Sequence, residues 1–202
     1  MKRKRALCRN GRPVSRKIDL ARLGTYFSAM AKLDIITLPD PLLRGESAAI
    51  ERVDDEVRRL ADDMLETMYA APGVGLAAVQ VGVPRQLVVL DTAKDDDPPS
   101  PLVLINPTIK TFSEERRVYE EGCLSIPDVR IEIERPSEIV VGYIDRDGNP
   151  KEMSATGLLA TAIQHEVDHL HGRLIIDFLS RLKRDIIIRR FRKQAKGDAP
   201  ST

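Results

Sequence analysis

The stretch that most constrains this chain is His165-Glu166-Val167-Asp168-His169. On a helix, residues four apart lie one above the other on one face. His165 and His169 can therefore aim two imidazoles at one metal ion. Glu166 stands one residue on, within reach of a water at that metal but not placed as a ligand. This is the H-E-x-x-H arrangement of metallohydrolases, two ligands and a general base. The pattern fixes only three residues, and amphipathic helices carry chance matches. Two further features point to a metal. Leu158, Ala162, His165 and His169 fall on one stripe of Gly157–Leu170, with Thr161 beside it, so the histidines continue an apolar face and need buried partners. The chain has three histidines, and two are spent here; His171, two residues past His169, faces elsewhere. Gly172 is placed to stop the helix.

At 202 residues and 42% hydrophobic content, the chain can bury one core, so a single domain over 31–197 is expected, between a basic extension (1–30) and a short tail (198–202). Charge is unevenly spread. Residues 1–30 hold nine Lys/Arg against Asp19, and residues 181–197 hold eight against Asp185. Residues 31–180 hold 15 Lys/Arg against 28 Asp/Glu. An acidic body with basic ends is suited to an anionic partner such as nucleic acid or a membrane surface; solvated faces explain the ends equally well. Two cysteines, Cys8 and Cys123, make no disulfide framework, and no apolar run reaches transmembrane length. The Arg-rich N-terminus is compatible with an organelle transit peptide or with an extension ahead of a working chain near Met30. The second reading is preferred, because globular patterning begins only there, and it implies a cytoplasmic location.

Along the chain, Leu33–Leu38 is extended before Pro39. Ser47 is the expected cap of a helix carrying Val53, Val57, Leu60, Met64, Leu65 and Met68, which ends at Pro72-Gly73. Gly73–Gly82 lacks the Lys-Ser/Thr of a phosphate loop and follows a helix, so its glycines signal close backbone approach to a neighbour or ligand. Gln80, the one polar side chain there, either pairs with backbone or is an aimed donor. Strands are expected at Gln86–Leu90, Leu102–Ile105, Arg116–Tyr119, around Val129–Ile133 and at Ile139–Ile144, with a hairpin at Asp147-Gly148. Ser180 precedes a last, basic helix.

A catalytic metal usually takes three protein ligands. Cys123 is the candidate third. A lone cysteine is often plain core filling, but Cys123 sits in a turn-like run flanked by acids, an odd place for that.

Three blocks resemble the signature motifs of peptide deformylases, in order and spacing: Gly73-Val74-Gly75-Leu76-Ala77-Ala78-Val79-Gln80, Glu121-Gly122-Cys123-Leu124-Ser125 and His165-Glu166-Val167-Asp168-His169-Leu170-His171-Gly172. The resemblance runs from about Leu33 through the last helix. It implies an α+β fold, antiparallel sheets around a central metal-binding helix, with a C-terminal helix. It implies removal of the formyl group from N-terminal formyl-methionine of nascent polypeptides, with Fe(II) as the metal and Zn(II), Ni(II) or Co(II) as replacements. By resemblance Cys123, His165 and His169 hold the metal, Glu166 is the general base, and Gln80 and the Leu124 N–H stabilise the oxyanion. Val74 and Gly75 would bind the substrate backbone. Tyr119, Leu158, Thr161 and Ala162 would line the methionine pocket, with Arg130 further along the peptide. Thr161 and Tyr119 are less aliphatic than the family's usual pocket. Asp168 either pairs with a basic residue such as Arg135 or is a solvated acid. The basic last helix suggests ribosome contact, and a monomer is expected. Two other readings compete: an H-E-x-x-H zinc endopeptidase, which leaves Cys123 and Gln80 unexplained, and a metal-stabilised RNA-binding protein, which would need a fourth protein ligand.

Overall fold

A computed structural model describes residues 32–93 and 97–197. The expected basic extension (1–30) and the tail lie outside the described residues. In chain order the elements are α1 (Asp55–Ala70), β1 (Gly75–Ala77), β2 (Leu87–Leu90), β3 (Leu102–Phe112), β4 (Arg116–Cys123), β5 (Ile126–Pro136), β6 (Glu138–Ile144), β7 (Pro150–Thr156), α2 (Gly157–Leu170) and α3 (Arg181–Gly197). β1-β2-β3-β6-β7 form one antiparallel sheet, and β4-β5 form a separate hairpin. The α+β class expected from the motifs is the one found.

α1 forms because Val57, Ala61, Met64, Leu65 and Met68 recur at helical spacing and are buried together. Its cap is not Ser47, as expected, but Asp54. The Asp54 carboxylate accepts from the backbone N–H of Glu56 and Val57, and Asp55 and Glu56 place two acids on the positive end of the helix. Ser47 is instead buried, its N–H donating to Leu170 O at 2.8 Å. The stretch between is drawn into tertiary pairing, with Ala48 bridging Arg85 and Ile50 N–H donating to Asn106 Oδ1.

α1 and α2 cover opposite faces of the five-stranded sheet. Leu87 and Val89 of β2 pack with α1, whereas Val88 and Leu90 pack with Ala160, Ala162 and Ile163 of α2. This period-2 division explains why β2 is apolar at all four positions. A third core joins Ile126, Ile131 and Ile133 of β5 to Leu174–Ile176 and to Phe191 of α3. β3 runs seven residues beyond the expected Ile105. Pro107 is tolerated because the register shifts between Ile105 and Thr108, where a missing N–H breaks no regular rung. α2 has the expected bounds. It stops where Gly172 turns left-handed (φ 67°), with Arg44 O so close that a Cβ would collide with it.

Candidate active site

α2 brings its two candidate ligands, His165 and His169, to the cleft between β1 and the β4-β5 hairpin. The stripe expected to point inward divides: His165 and His169 are 8% and 1% exposed, but Leu158, at the helix start, is 46% exposed and stands at the cleft mouth. Successive helical turns hold the two imidazoles with ring centres 5.0 Å apart. Cys123, at the end of β4, approaches from the hairpin, and its Sγ lies 3.2 Å from His169 Nε2. The three ligand atoms lie within 4.8 Å of one another.

These residues fit a transition-metal ion. One thiol and two imidazoles are the donor set such ions take, and three convergent donors leave a further coordination position for chemistry. His169 Nδ1 is buried without a hydrogen-bond partner, so nothing else competes to turn that ring away. His165 is oriented from behind: its Nδ1 lies 2.9 Å from Glu121 Oε2. With the Nδ1–H donating to that carboxylate, Nε2 is free to ligate.

Glu121, to which the sequence alone assigned no role, is the residue that holds His165. It stands two before Cys123 on β4, and period-2 alternation puts the two on one strand face. Arg135 of β5 donates to it twice, Nε to Oε1 at 2.5 Å and Nη2 to Oε2 at 3.1 Å. The third Arg135 bond, Nη1 to Asp168 Oδ2 at 2.8 Å, realises the Asp168–Arg135 pair considered from sequence and ties the network back to α2. Burial works to neutralise Glu121, but His165 and Arg135 outweigh it and hold its carboxyl below the ordinary range. Burial likewise opposes the charge on Arg135, and the two carboxylates outweigh it. For His165, burial again opposes protonation, while hydrogen bonds with Cys123 and Glu121 raise its pKa well above the usual value. His169 is driven the other way, by burial and then by the charge of His165.

Glu166 is 4% exposed, and burial, the largest influence, pushes its carboxyl up to about 7. Its Oε2 has no hydrogen-bond partner. Its Oε1 occupies the space where Gly75 would carry a Cβ, so a side chain at 75 would displace the carboxylate. The glycine signal in the sequence thus marks a close approach, as expected. Gln80 is both backbone-paired and aimed: its Oε1 accepts from Ala77 N–H at 2.8 Å, and its Nε2 donates to Ser125 Oγ at 3.2 Å and towards Cys123 Sγ at 3.7 Å.

The cleft encloses about 640 Å³. Val74, Gly75, Gln80, Tyr119, Cys123, Leu124, Arg130, Leu158, Thr161, Ala162, His165 and Glu166 all line it, with His169 behind them. Thr161 Oγ1 donates back to Gly157 O at 3.2 Å, so its hydroxyl is satisfied within the helix. The Arg130 guanidinium lies across Gly122, 3.0 Å from where a Cβ would stand. His171 faces away, pairing with Glu46 at 2.7 Å.

An open-sided Cys-His-His set, its two histidines buried, with an adjacent carboxylate that keeps one oxygen without a partner, defines a metal-dependent enzyme of the H-E-x-x-H kind. The family model described as Polypeptide deformylase matches residues 32–185. A relative from Rhizobium meliloti (strain 1021), called peptide deformylase, is 60% identical over 162 residues, 80% of this chain and 93% of that one. One from Brucella suis biovar 1 is 53% identical over 170 residues, 84% and 97% of the two chains. Among solved structures, peptide deformylase from Ehrlichia chaffeensis superposes with a TM-score of 0.78 at 41% identity, covering 83% of this chain and 99% of that one. The enzyme from Legionella pneumophila gives 0.75 at 39%, covering 85% and 100%. The chain belongs to the polypeptide deformylase family.

Proposed function

We propose that this chain removes the formyl group from N-terminal formyl-methionine of nascent polypeptides, as one catalytic domain over residues 31–197. The observation that carries this reading is the convergence of Cys123, His165 and His169 beside the free Oε2 of Glu166, in a cleft bounded by a sheet-edge strand.

Cys123, His165 and His169 would hold the metal, which is Fe(II) in this proposal, with Zn(II), Ni(II) or Co(II) as replacements. When bound, the ion supplies Lewis-acid charge that brings the pKa of water towards about 7. Glu166 takes a proton from the attacking water and gives it to the methionine nitrogen as the formyl C–N bond breaks, so that formate and a free amine leave. Gln80 Nε2–H and the Leu124 N–H donate to the oxyanion that develops on the formyl oxygen as water adds to the formyl carbon. Gln80 is preorganised for this, because its Oε1 is already committed to Ala77. β1 is the edge of its sheet, and a peptide adds there as a further strand along Val74 and Gly75. Leu158, Thr161, Ala162 and Tyr119 receive the methionine side chain, and Arg130 lies further along the peptide.

Formate release from a formyl-Met tripeptide by the metal-loaded protein, lost in Glu166→Ala at unchanged metal content, is the expected result. Release that survives Glu166→Ala would overturn the assignment.

α3 exposes Arg189, Arg190, Arg192 and Lys193, a surface suited to ribosomal RNA near emerging substrates. Neutralising these four should weaken ribosome cosedimentation; unchanged cosedimentation would remove this part. No described helix is long and apolar enough to cross a membrane. The setting proposed is the bacterial cytoplasm.

A further inference from the structure

We infer that Asp91, gripped by Tyr69, is a positioning residue that sets the substrate-binding edge at Val74–Gly75; this rests on the peptide-deformylation reading above. The edge is intrinsically weak. β1 is only three residues long, and Gly73 and Gly75 flank Val74, so the segment has more backbone freedom to lose than one without glycine. It is nevertheless the element on which a substrate backbone must pair.

Asp91 follows the last residue of β2 and closes both ends of the turn leading into β1. Its N–H donates to Val74 O at 2.9 Å, adding a rung to the β1-β2 ladder beyond Gly75↔Leu90. Its carboxylate accepts from Tyr69 Oη at 2.5 Å, and Tyr69 lies in the last turn of α1. The chain from Tyr69 to Val74 is therefore a short loop pinned at both ends on one residue. Asp91 is itself held by Ala93 N–H on Oδ1 (2.9 Å) and Ser100 N–H on Oδ2 (3.0 Å), and it is 8% exposed. A further tie, Gly73 N–H to Met68 O at 2.9 Å, steadies the middle of the turn. Neither Tyr69 nor Asp91 lines the cleft, so neither touches the reacting atoms. The pair persists at neutral pH: burial and then Asp91 push the Tyr69 hydroxyl up to about 12.

In antiparallel pairing, rungs alternate. With Val74 bonded inward to Asp91, Gly75 presents its N–H and C=O outward, towards an added peptide. Loosening the Tyr69–Asp91 hold frees the Val74 end of β1 while Leu76 and Ala77 stay paired with β2, so the defect should lie mainly in substrate capture and grow with the length of peptide that reaches the edge.

The test is steady-state formate release by metal-loaded wild type, Tyr69→Phe and Asp91→Asn, on formyl-methionine amide and on a formyl-Met tripeptide. Tyr69 is 45% exposed, so Tyr69→Phe should fold normally, checked by circular dichroism and melting temperature. For the tripeptide, KM should rise roughly tenfold in Asp91→Asn and several-fold in Tyr69→Phe, with kcat within about twofold. The amide should show a much smaller rise. A wild-type KM for the tripeptide in a folded Tyr69→Phe protein, or an equal rise on both substrates, overturns the inference while leaving the deformylase reading intact. No formate from wild type at full metal loading overturns both.

Discussion

Two cavities of similar size flank α2, and only one has the chemistry of a site. The cleft of about 640 Å³ holds Cys123, His165 and Glu166, with Glu166 Oε2 buried and unpartnered. The other, about 700 Å³, lies between β3, the β4-β5 hairpin and the outer side of α2. Its charged groups are matched among themselves or with close neighbours. Arg135 is shared by Glu121 and Asp168, Arg173 faces Asp168 at 3.7 Å, Arg116 faces Glu134 at 3.8 Å, and Arg135 and Arg173 both stack on Phe178. Volume therefore does not distinguish the two. What does is whether buried polar atoms are satisfied by the protein, since an unsatisfied buried group is costly unless a ligand completes it. The two sides are also joined: Arg135, on the matched side, holds the Glu121 that orients His165 on the reactive side.

Perturbing each side should show this contrast. The largest effect is expected from Cys123→Ser. An alcohol is a poor soft ligand, so metal retained after dialysis should fall, and turnover with it by about a thousandfold or more, as the Lewis-acid contribution of several kcal/mol is lost. Next comes Arg135→Met, which leaves Glu121 buried without its cation. It should cost about 3 kcal/mol in denaturant unfolding, even though Arg135 touches no reacting atom. Gly75→Ala forces the Glu166 carboxylate aside and should lower kcat by roughly tenfold to a hundredfold with metal content unchanged, since small misplacement of a proton-transfer group is enough.

A pH dependence is expected from Asp91. Burial, the largest influence, works to raise its pKa, but Tyr69 and the N–H groups of Ala93 and Ser100 outweigh it and hold it below the ordinary 3.8. A carboxyl lowered by folding contributes stability above the unfolded pKa and loses it as pH falls through the folded one. The stability advantage of wild type over Asp91→Asn should thus shrink below about pH 3.8, read from urea unfolding at several pH values. The smallest effect is Arg116→Gln in the matched cavity. That pair is half exposed, so both stability (within about 0.5 kcal/mol) and turnover should be unchanged.

The same contrast separates what was legible in the sequence from what was not. Local patterns carried far: the bounds of α2, its stop at Gly172, the turn at Asp147-Gly148 and the close approach at Gly75 all follow from period, cap or missing Cβ. That His165 and His169 would converge was readable because they stand four apart on one helix. The cap of α1 was misread because Ser47 and Asp54 are both good caps, and only tertiary pairing of Ala48 and Ile50 decides between them. The link from Glu121 to His165 spans 44 positions and the staple from Tyr69 to Asp91 spans 22, so no local period reports either. Glu121 had one usable signal, its alternation with Cys123 on a strand.

The most direct test gives the metal-loaded protein equal concentrations of a formyl-Met tripeptide and an N-blocked peptide with only internal bonds, with formate and new amine termini measured together. Stoichiometric formate and free methionine amine from the first, and an intact second peptide, is the result expected of this cleft. Internal cleavage without formate would contradict the account and reassign the same residues to an endopeptidase.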